Sequence, residues 1–195
     1  VAIAINALHA AGVPVVYDFS VLRDPQNGQP RATFSPNGLT LYDPAFYNPA
    51  DPELQMLGSL YRAYLSDLLE FSGTPAAQAD ATALLAAQFE EQLAKATAGN
   101  NVQSQTPAAA AKAYPQLQLA SFLAEAAAAP PEVHFVQPEY FRTVNGLVAK
   151  TPVPQWKAYL RTQVLHSIAP MLTRDYRKIY GGFVDDKVGK RSMTQ

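Results

Sequence analysis

The 195-residue sequence contains no cysteine. That excludes a disulfide framework, a thiol nucleophile and a thiolate zinc site within these residues. Histidine is scarce as well, with only His9, His134 and His166. A helical zinc site needs two histidines one turn apart with a glutamate between them, H-E-x-x-H, so that both imidazoles face one metal. No such spacing occurs, and the three read as ordinary surface or half-buried histidines. The nucleophile elbow G-x-S-x-G, the phosphate loop G-x-x-x-x-G-K-S/T and the dinucleotide fingerprint G-x-G-x-x-G are all missing. No apolar run approaches the ~20 residues of a membrane-spanning helix. Charge of one sign is also lacking: the formal net charge is −1, so no concentrated basic face is available for nucleic acid or an anionic membrane. The run Arg174-Asp175-Tyr176-Arg177-Lys178 mixes signs and reads as a solvated helix face. The opening, "VAIAINALHAAG", has no basic leader or cleavage-site pattern and reads as the middle of a helix, so the sequence is expected to be a piece of something longer.

What is present is globular: 48% hydrophobic against 16% charged residues, in a chain able to bury roughly 70% of its unfolded surface. Residues 2–11 suit a helix stopped by Gly12, with Pro14 beyond. "VVYDFSV" (Val15–Val21) and "RATFS", separated by the turn material "RDPQNGQP", predict a β-hairpin. A Pro-, Asn- and Gly-rich loop follows, and then helix upon helix. Asp51-Pro52-Glu53 supplies an N-cap, a first-turn proline and a first-turn acid. Leu54, Leu57, Tyr61, Tyr64, Leu65 and Leu68 recur at three- and four-residue steps, one buried stripe that Gly73 terminates. Thr74-Pro75 opens a second long helix carrying Leu85, Phe89 and Leu93. "GNNVQSQTP" reads as a polar connector, and the alanine-rich residues 107–129 as one helix packed through Leu117, Leu119, Phe122 and Leu123. "VHFV" is a short extended piece, and Pro138 opens another helix. In the next helix Trp156, Leu160, Val164 and Ile168 are expected on one face with Tyr159 beside them; Pro170 ends or kinks that helix, and residues 171–180 extend the pattern. The predicted fold is mainly α: a single helical lobe over 1–195, with hairpin and loop at 12–48, helices at 51–180 and a polar tail at 181–195.

Three clusters invite a chemical reading. Glu90-Glu91 offers two carboxylates, but helix neighbours point about 100° apart and do not converge on one substrate atom. Asp185-Asp186 lies in the expected tail, a weak cation site at best. Tyr42, Phe46, Tyr47, Tyr61 and Tyr64 read as aromatics wedging the loop against the first long helix rather than as a binding platform. No catalytic, cofactor-binding or metal-binding residue is assigned.

The order of segments nonetheless resembles the N-terminal half of the neprilysin-like (M13-type) zinc metallopeptidases. Leu8-His9 and Gly12 leading into Val16-Tyr17-Asp18-Phe19, with Asp24 after, are similar to the family's "L-H-x-x-G" helix end and following strand. Gly38-Leu39-Thr40-Leu41 and Phe46-Tyr47 match the ends of its G-L-x-L-P-x-R-D-Y-Y loop, while Tyr42, Pro44 and Ala45 stand where the family has proline, arginine and aspartate. Leu68-Leu69 with Gly73, the Phe89–Ala96 run, and Val136-Gln137-Pro138-Glu139-Tyr140 continue the series. "TPVPQWKAYLR" (Thr151–Arg161) nearly reproduces the family's T-P-L-x-x-W-K-x-Y-L-R helix start, which makes Trp156 structural.

The resemblance implies a non-catalytic helical lobe that encloses and size-restricts a peptide-binding cavity. The zinc ligands (H-E-x-x-H and a later E-x-x-x-D) and the substrate-holding strand would lie beyond Gln195. Its implied partners are the catalytic lobe of the same polypeptide and small peptide substrates, and its implied setting is extracytoplasmic. Zinc would belong to the parent enzyme, and the chain alone is expected to be inactive. The alternative is a free-standing helical module that binds a partner helix or peptide in a groove.

Overall fold

In the computed structural model, which describes residues 1–23, 28–48, 50–126 and 129–189, helix α1 (Ala2–Ala10) stops at the expected place. Gly12 takes φ +79° there, a conformation that only glycine adopts without strain. The fold is mainly α, as the periodicity predicts, and its contacts group into two compact units. One comprises Val1–Gly38 with Lys95–Thr151; the other comprises Leu39–Ala94 with the described residues from Pro152 onward. The reading of 1–195 as one lobe contains no boundary of this kind.

In the first unit the expected hairpin forms from β1 (Tyr17–Arg23) and β2 (Pro30–Pro36), antiparallel with Phe19 opposite Phe34. Residues 24–27 of its turn lie outside the described residues. The hairpin is half of a four-stranded sheet in the order β1-β2-β4-β3. Strand β4 (Val133–Val136), the expected extended piece, runs parallel to β2 and places Phe135 beside Phe34. Its other neighbour is β3 (Val102–Gln105), which lies inside the predicted polar connector. That strand alternates nothing: three of its four residues are exposed, so pairing with β4 and not burial makes it a strand.

The alanine-rich stretch is also corrected. It breaks into α4 (Pro107–Ala113) and α5 (Leu119–Glu125) around a 3-10 turn at Pro115–Leu117, and Ala127 and Ala128 lie outside the described residues. Pro115 cannot donate to the helix ladder, and Gln118 turns left-handed at φ +51°. The break turns Tyr114 and Leu117 inward, each 1% exposed, and lets Gln116 N–H donate to Asn145 Oδ1 at 2.8 Å. Leu119, Phe122 and Leu123 are buried as expected. Helix α6 (Pro138–Lys150) closes the unit, and its Tyr140 hydroxyl donates to the carbonyls of Val16 and Asn37. Val16 sits at φ +68°, a strained position for a β-branched residue, and Tyr140 helps hold it there.

In the second unit α2 (Pro52–Phe71) begins as its sequence dictates. The Asp51 carboxylate accepts from the Glu53 and Leu54 N–H groups. At its far end Gly73, φ +90°, lets Thr74 N–H reach back to Leu69 O at 3.0 Å. The predicted stripe is buried from Leu57 through Leu68, and only Leu54 stays half-buried. Helix α3 (Ala76–Ala96) packs small residues, Ala79, Ala83 and Ala86, into the core. Helix α7 (Val153–Ile168) is followed by a 3-10 turn at Ala169–Met171, where Pro170 ends it.

The inner face of α7 is not the one expected. Trp156 is buried against Phe89 with rings 4.5 Å apart and Tyr159 is buried beside it as expected, but Thr162 and Gln163 complete that face, while Leu160, Val164 and Ile168 are only half-buried. Two of those inner residues are polar, so an apolar pattern could not register them. Helix α8 (Arg174–Phe183) packs on α2 and continues into a π-helical turn, Val184–Gly189. Residues 181–189 therefore do not form the predicted polar tail: Phe183 and Val188 are buried. Residues 190–195 lie outside the described residues.

Candidate functional site

The most unusual chemistry in the second unit is a carboxylate with no access to solvent. Glu90, on α3, is 0% exposed, whereas its neighbour Glu91 is half-buried on the wall of a cavity of about 300 Å³ that Tyr47 also lines. Four donors converge on Glu90. Oε2 accepts from Thr40 N–H at 2.9 Å and from the Tyr47 hydroxyl. Oε1 accepts from Thr40 Oγ1 at 2.9 Å and from Gln163 Nε2 at 2.6 Å. Gln163 also reaches Thr40 Oγ1 at 3.0 Å, and Tyr47 Oη accepts from Leu41 N–H at 3.1 Å.

The cluster ties the loop at 39–48 to α3 and α7. Burial pushes the Glu90 carboxyl above the ordinary carboxylate range, against the pull of its hydrogen bonds from Tyr47 and Thr40, and pushes the Tyr47 phenol well up. A group sealed this way cannot touch a substrate. Its work is to fix the loop, since a buried carboxylate is tolerated only when its oxygens are satisfied. The loop aromatics agree: Phe46 is buried, and Tyr47 meets Tyr61 edge-on at 6.2 Å. Tyr42 departs from the expected wedge and is 63% exposed.

Sequence reasoning weighed Glu90 only as an acid/base partner of Glu91 and missed its burial, yet a signal existed. On α3 the buried positions 79, 83, 86, 87, 93 and 94 form one stripe, and position 90 falls inside it.

The three histidines are each committed to local partners. His9 Nε2 lies 3.1 Å from Val15 O, with its ring stacked on Tyr17. His134 Nδ1 is 2.6 Å from Ser104 Oγ, across the β3–β4 pair. His166 Nδ1 is 2.8 Å from the Tyr64 hydroxyl, with Tyr180 beside its ring. Among the described residues no group of three His, Cys, Asp or Glu side chains is arranged to hold a metal ion. The side chains described here thus do not fit a zinc ion.

Burial pushes His166 down to about 4. The unfolded chain then binds this proton more readily than the folded one, so stability falls as pH drops from about 6.5 towards 4, at up to about 1.4 kcal/mol per pH unit from this group. Glu90, with its raised value, contributes in the opposite sense. Its share is fully present below the unfolded glutamate value and is lost as pH rises through the folded one. Denaturant titrations between pH 7 and 4.5 should therefore show a loss in the wild type that His166→Phe flattens, because Phe keeps the ring packing without the titration. An unchanged slope in the variant would refute the assignment.

The sequence profile described as Peptidase family M13 matches residues 1–194. The chain belongs to peptidase family M13. No curated protein matches this M13 chain. Its fold is similar to the Mycobacterium tuberculosis zinc metalloprotease Zmp1 in the open state, with TM-score 0.83 and 23% identity over 93% of this chain and 30% of that one. It is similar also to Zmp1 in complex with an inhibitor, at TM-score 0.82 and 23% identity over 93% of this chain and 29% of that one. PepO from Lactobacillus rhamnosis HN001 aligns at TM-score 0.80 and 20% identity, over 96% of this chain and 31% of that one. At such identities the likeness establishes the fold. The M13 chain spans under a third of the length of these proteins. The family resemblance read from the TPVPQWKAYLR helix start and its companion motifs is thereby borne out.

Proposed function

We propose that this M13 chain is a non-catalytic helical lobe of a zinc metalloendopeptidase, and that its bulk encloses the peptide-binding cavity and limits entry to small peptides. The observation that carries the reading is the family match along essentially the whole chain, residues 1–194. It is supported by the likeness in fold to two proteins described as zinc metalloproteases or PepO, each about three times longer than the matched stretch. On this reading zinc, the general base and the substrate-binding strand come from the rest of the same polypeptide. This chain contributes shape: packed helices exclude folded proteins by volume and exclude water on closure. An extracytoplasmic setting goes with the family analogy.

The test has two arms. The purified chain should hold far less than one zinc by elemental analysis and leave a short peptide uncut. The full polypeptide should cleave that peptide, lose the activity to a chelator, and leave a folded protein intact. One zinc per isolated chain, with chelator-sensitive peptidase activity, would overturn the proposal.

A further inference from the structure

In the first unit a cavity of about 240 Å³ opens between α1, β1 and α5. It is smaller than the roughly 300–1,000 Å³ of pockets for drug-sized ligands and suits one short chain of atoms. Its lining combines three kinds of group. Phe19 and Phe122 supply aromatic surface, their rings 5.1 Å apart and edge to face. Asn6 is 4% exposed, and its buried Oδ1 accepts no hydrogen bond. Glu125 stands at the exposed end, a carboxylate on the last turn of α5. The remaining titratable group, His9, is engaged through Nε2 with Val15 O and is kept towards its neutral form by burial. Among the described residues no lysine or arginine lines the space.

We infer that this cavity is a binding site for an alkylammonium group, with Asn6 Oδ1 as the inner acceptor, Phe19 and Phe122 flanking the cation, and Glu125 as its counter-charge. Each part answers a separate requirement of that ligand. An N–H donor satisfies Asn6 Oδ1, a buried acceptor on this wall that is left unpaired at a cost to the folded state. Aromatic faces attract a cation and shelter its methylene stem. A carboxylate at the mouth favours a positive charge over a neutral isostere. An anionic ligand would meet Glu125 and find no cation, and a purely apolar ligand would leave Asn6 unsatisfied. The ammonium could be carried by a free amine or by the lysine side chain of a peptide. The site is separate from the Glu90 cluster and does not depend on the peptidase reading.

Ligand-observed NMR titration of the full polypeptide at pH 7 and fixed ionic strength tests this, with n-butylammonium as the probe and 1-butanol as its uncharged counterpart. The ammonium should bind in the millimolar range and at least tenfold more tightly than the alcohol. Glu125→Gln, a surface change that leaves folding untouched, should weaken the ammonium about fivefold and the alcohol not at all. Asn6→Leu should weaken it about tenfold. A neutral-capped lysine tripeptide distinguishes the sources: tighter binding than butylammonium assigns a peptide, weaker binding a free amine. Equal affinity for butanol and butylammonium, or indifference to Glu125→Gln, would overturn the assignment.

Discussion

Glu90→Ala should cost the protein about 3–5 kcal/mol, because a buried acceptor is removed and its neutral donors stay behind unsatisfied. The substitution deletes the acceptor for Thr40 N–H, Thr40 Oγ1, the Tyr47 hydroxyl and Gln163 Nε2 together. Water cannot readily replace it, because the side chain is 0% exposed. Each orphaned donor carries a desolvation penalty of roughly 1–3 kcal/mol, partly relieved by relaxation of the loop at 39–48. Glu90→Gln keeps the shape and one accepting oxygen, so it should cost less, about 1–2 kcal/mol, through one amide facing donors. In a thermal melt the alanine variant should unfold roughly 10 °C lower. A cycle with Gln163→Ala gives a second check, since two residues of one network should couple by about 1–3 kcal/mol. If Glu90→Ala melts within a degree or two of the wild type, the cluster does not hold the loop.

Glu90 also marks the border of what was legible in the sequence. The Asp51 cap, the Gly73 stop, the Leu57–Leu68 stripe and the Phe19/Phe34 hairpin could all be read, because each depends on local geometry that a few neighbouring residues specify. The inner face of α7 could not, because Thr162 and Gln163 are buried for partners far along the chain; Gln163 meets Glu90 and Thr40. Strand β3 left no trace, since an edge strand of sequence VQSQ has no buried face to alternate. Alanine content suggested one helix over 107–129, and the single Pro115 outweighed it because a lost donor and a ring clash exceed small propensity gains. At the end of α8, Phe183 and Val188 are five residues apart, a spacing that suits the π-helical turn there and that α-helical periodicity does not reward. The family was legible because its motifs mark turns and helix starts. The alkylammonium cavity was not, because Asn6, Phe19 and Glu125 are distant in sequence and only the tertiary fold brings them together.

Phe34→Ala should be about as damaging to the first unit, about 3–5 kcal/mol, as expected for removing a fully buried phenylalanine. Phe34 sits on β2, between β1 and β4 in the sheet, and is 0% exposed. Its ring stacks on Phe135 at 5.1 Å, and Phe19, Tyr17 and Phe122 surround it at 4.8–5.6 Å. Removing it leaves a void lined by rigid rings, which have few rotamers with which to fill it, so the cavity contribution should lie at the upper end. Phe19→Ala is the informative comparison. Phe19 shares the cluster but is only half-buried, so its loss exposes less new surface and should cost less than half as much. Chemical denaturation with near-ultraviolet circular dichroism reads both variants, since the aromatic signal reports the packing of these rings. A Phe19→Ala cost equal to or above that of Phe34→Ala would place the packing centre on the hairpin's outer strand. It would contradict the sheet order in which β4 joins β2 and brings Phe135 over Phe34.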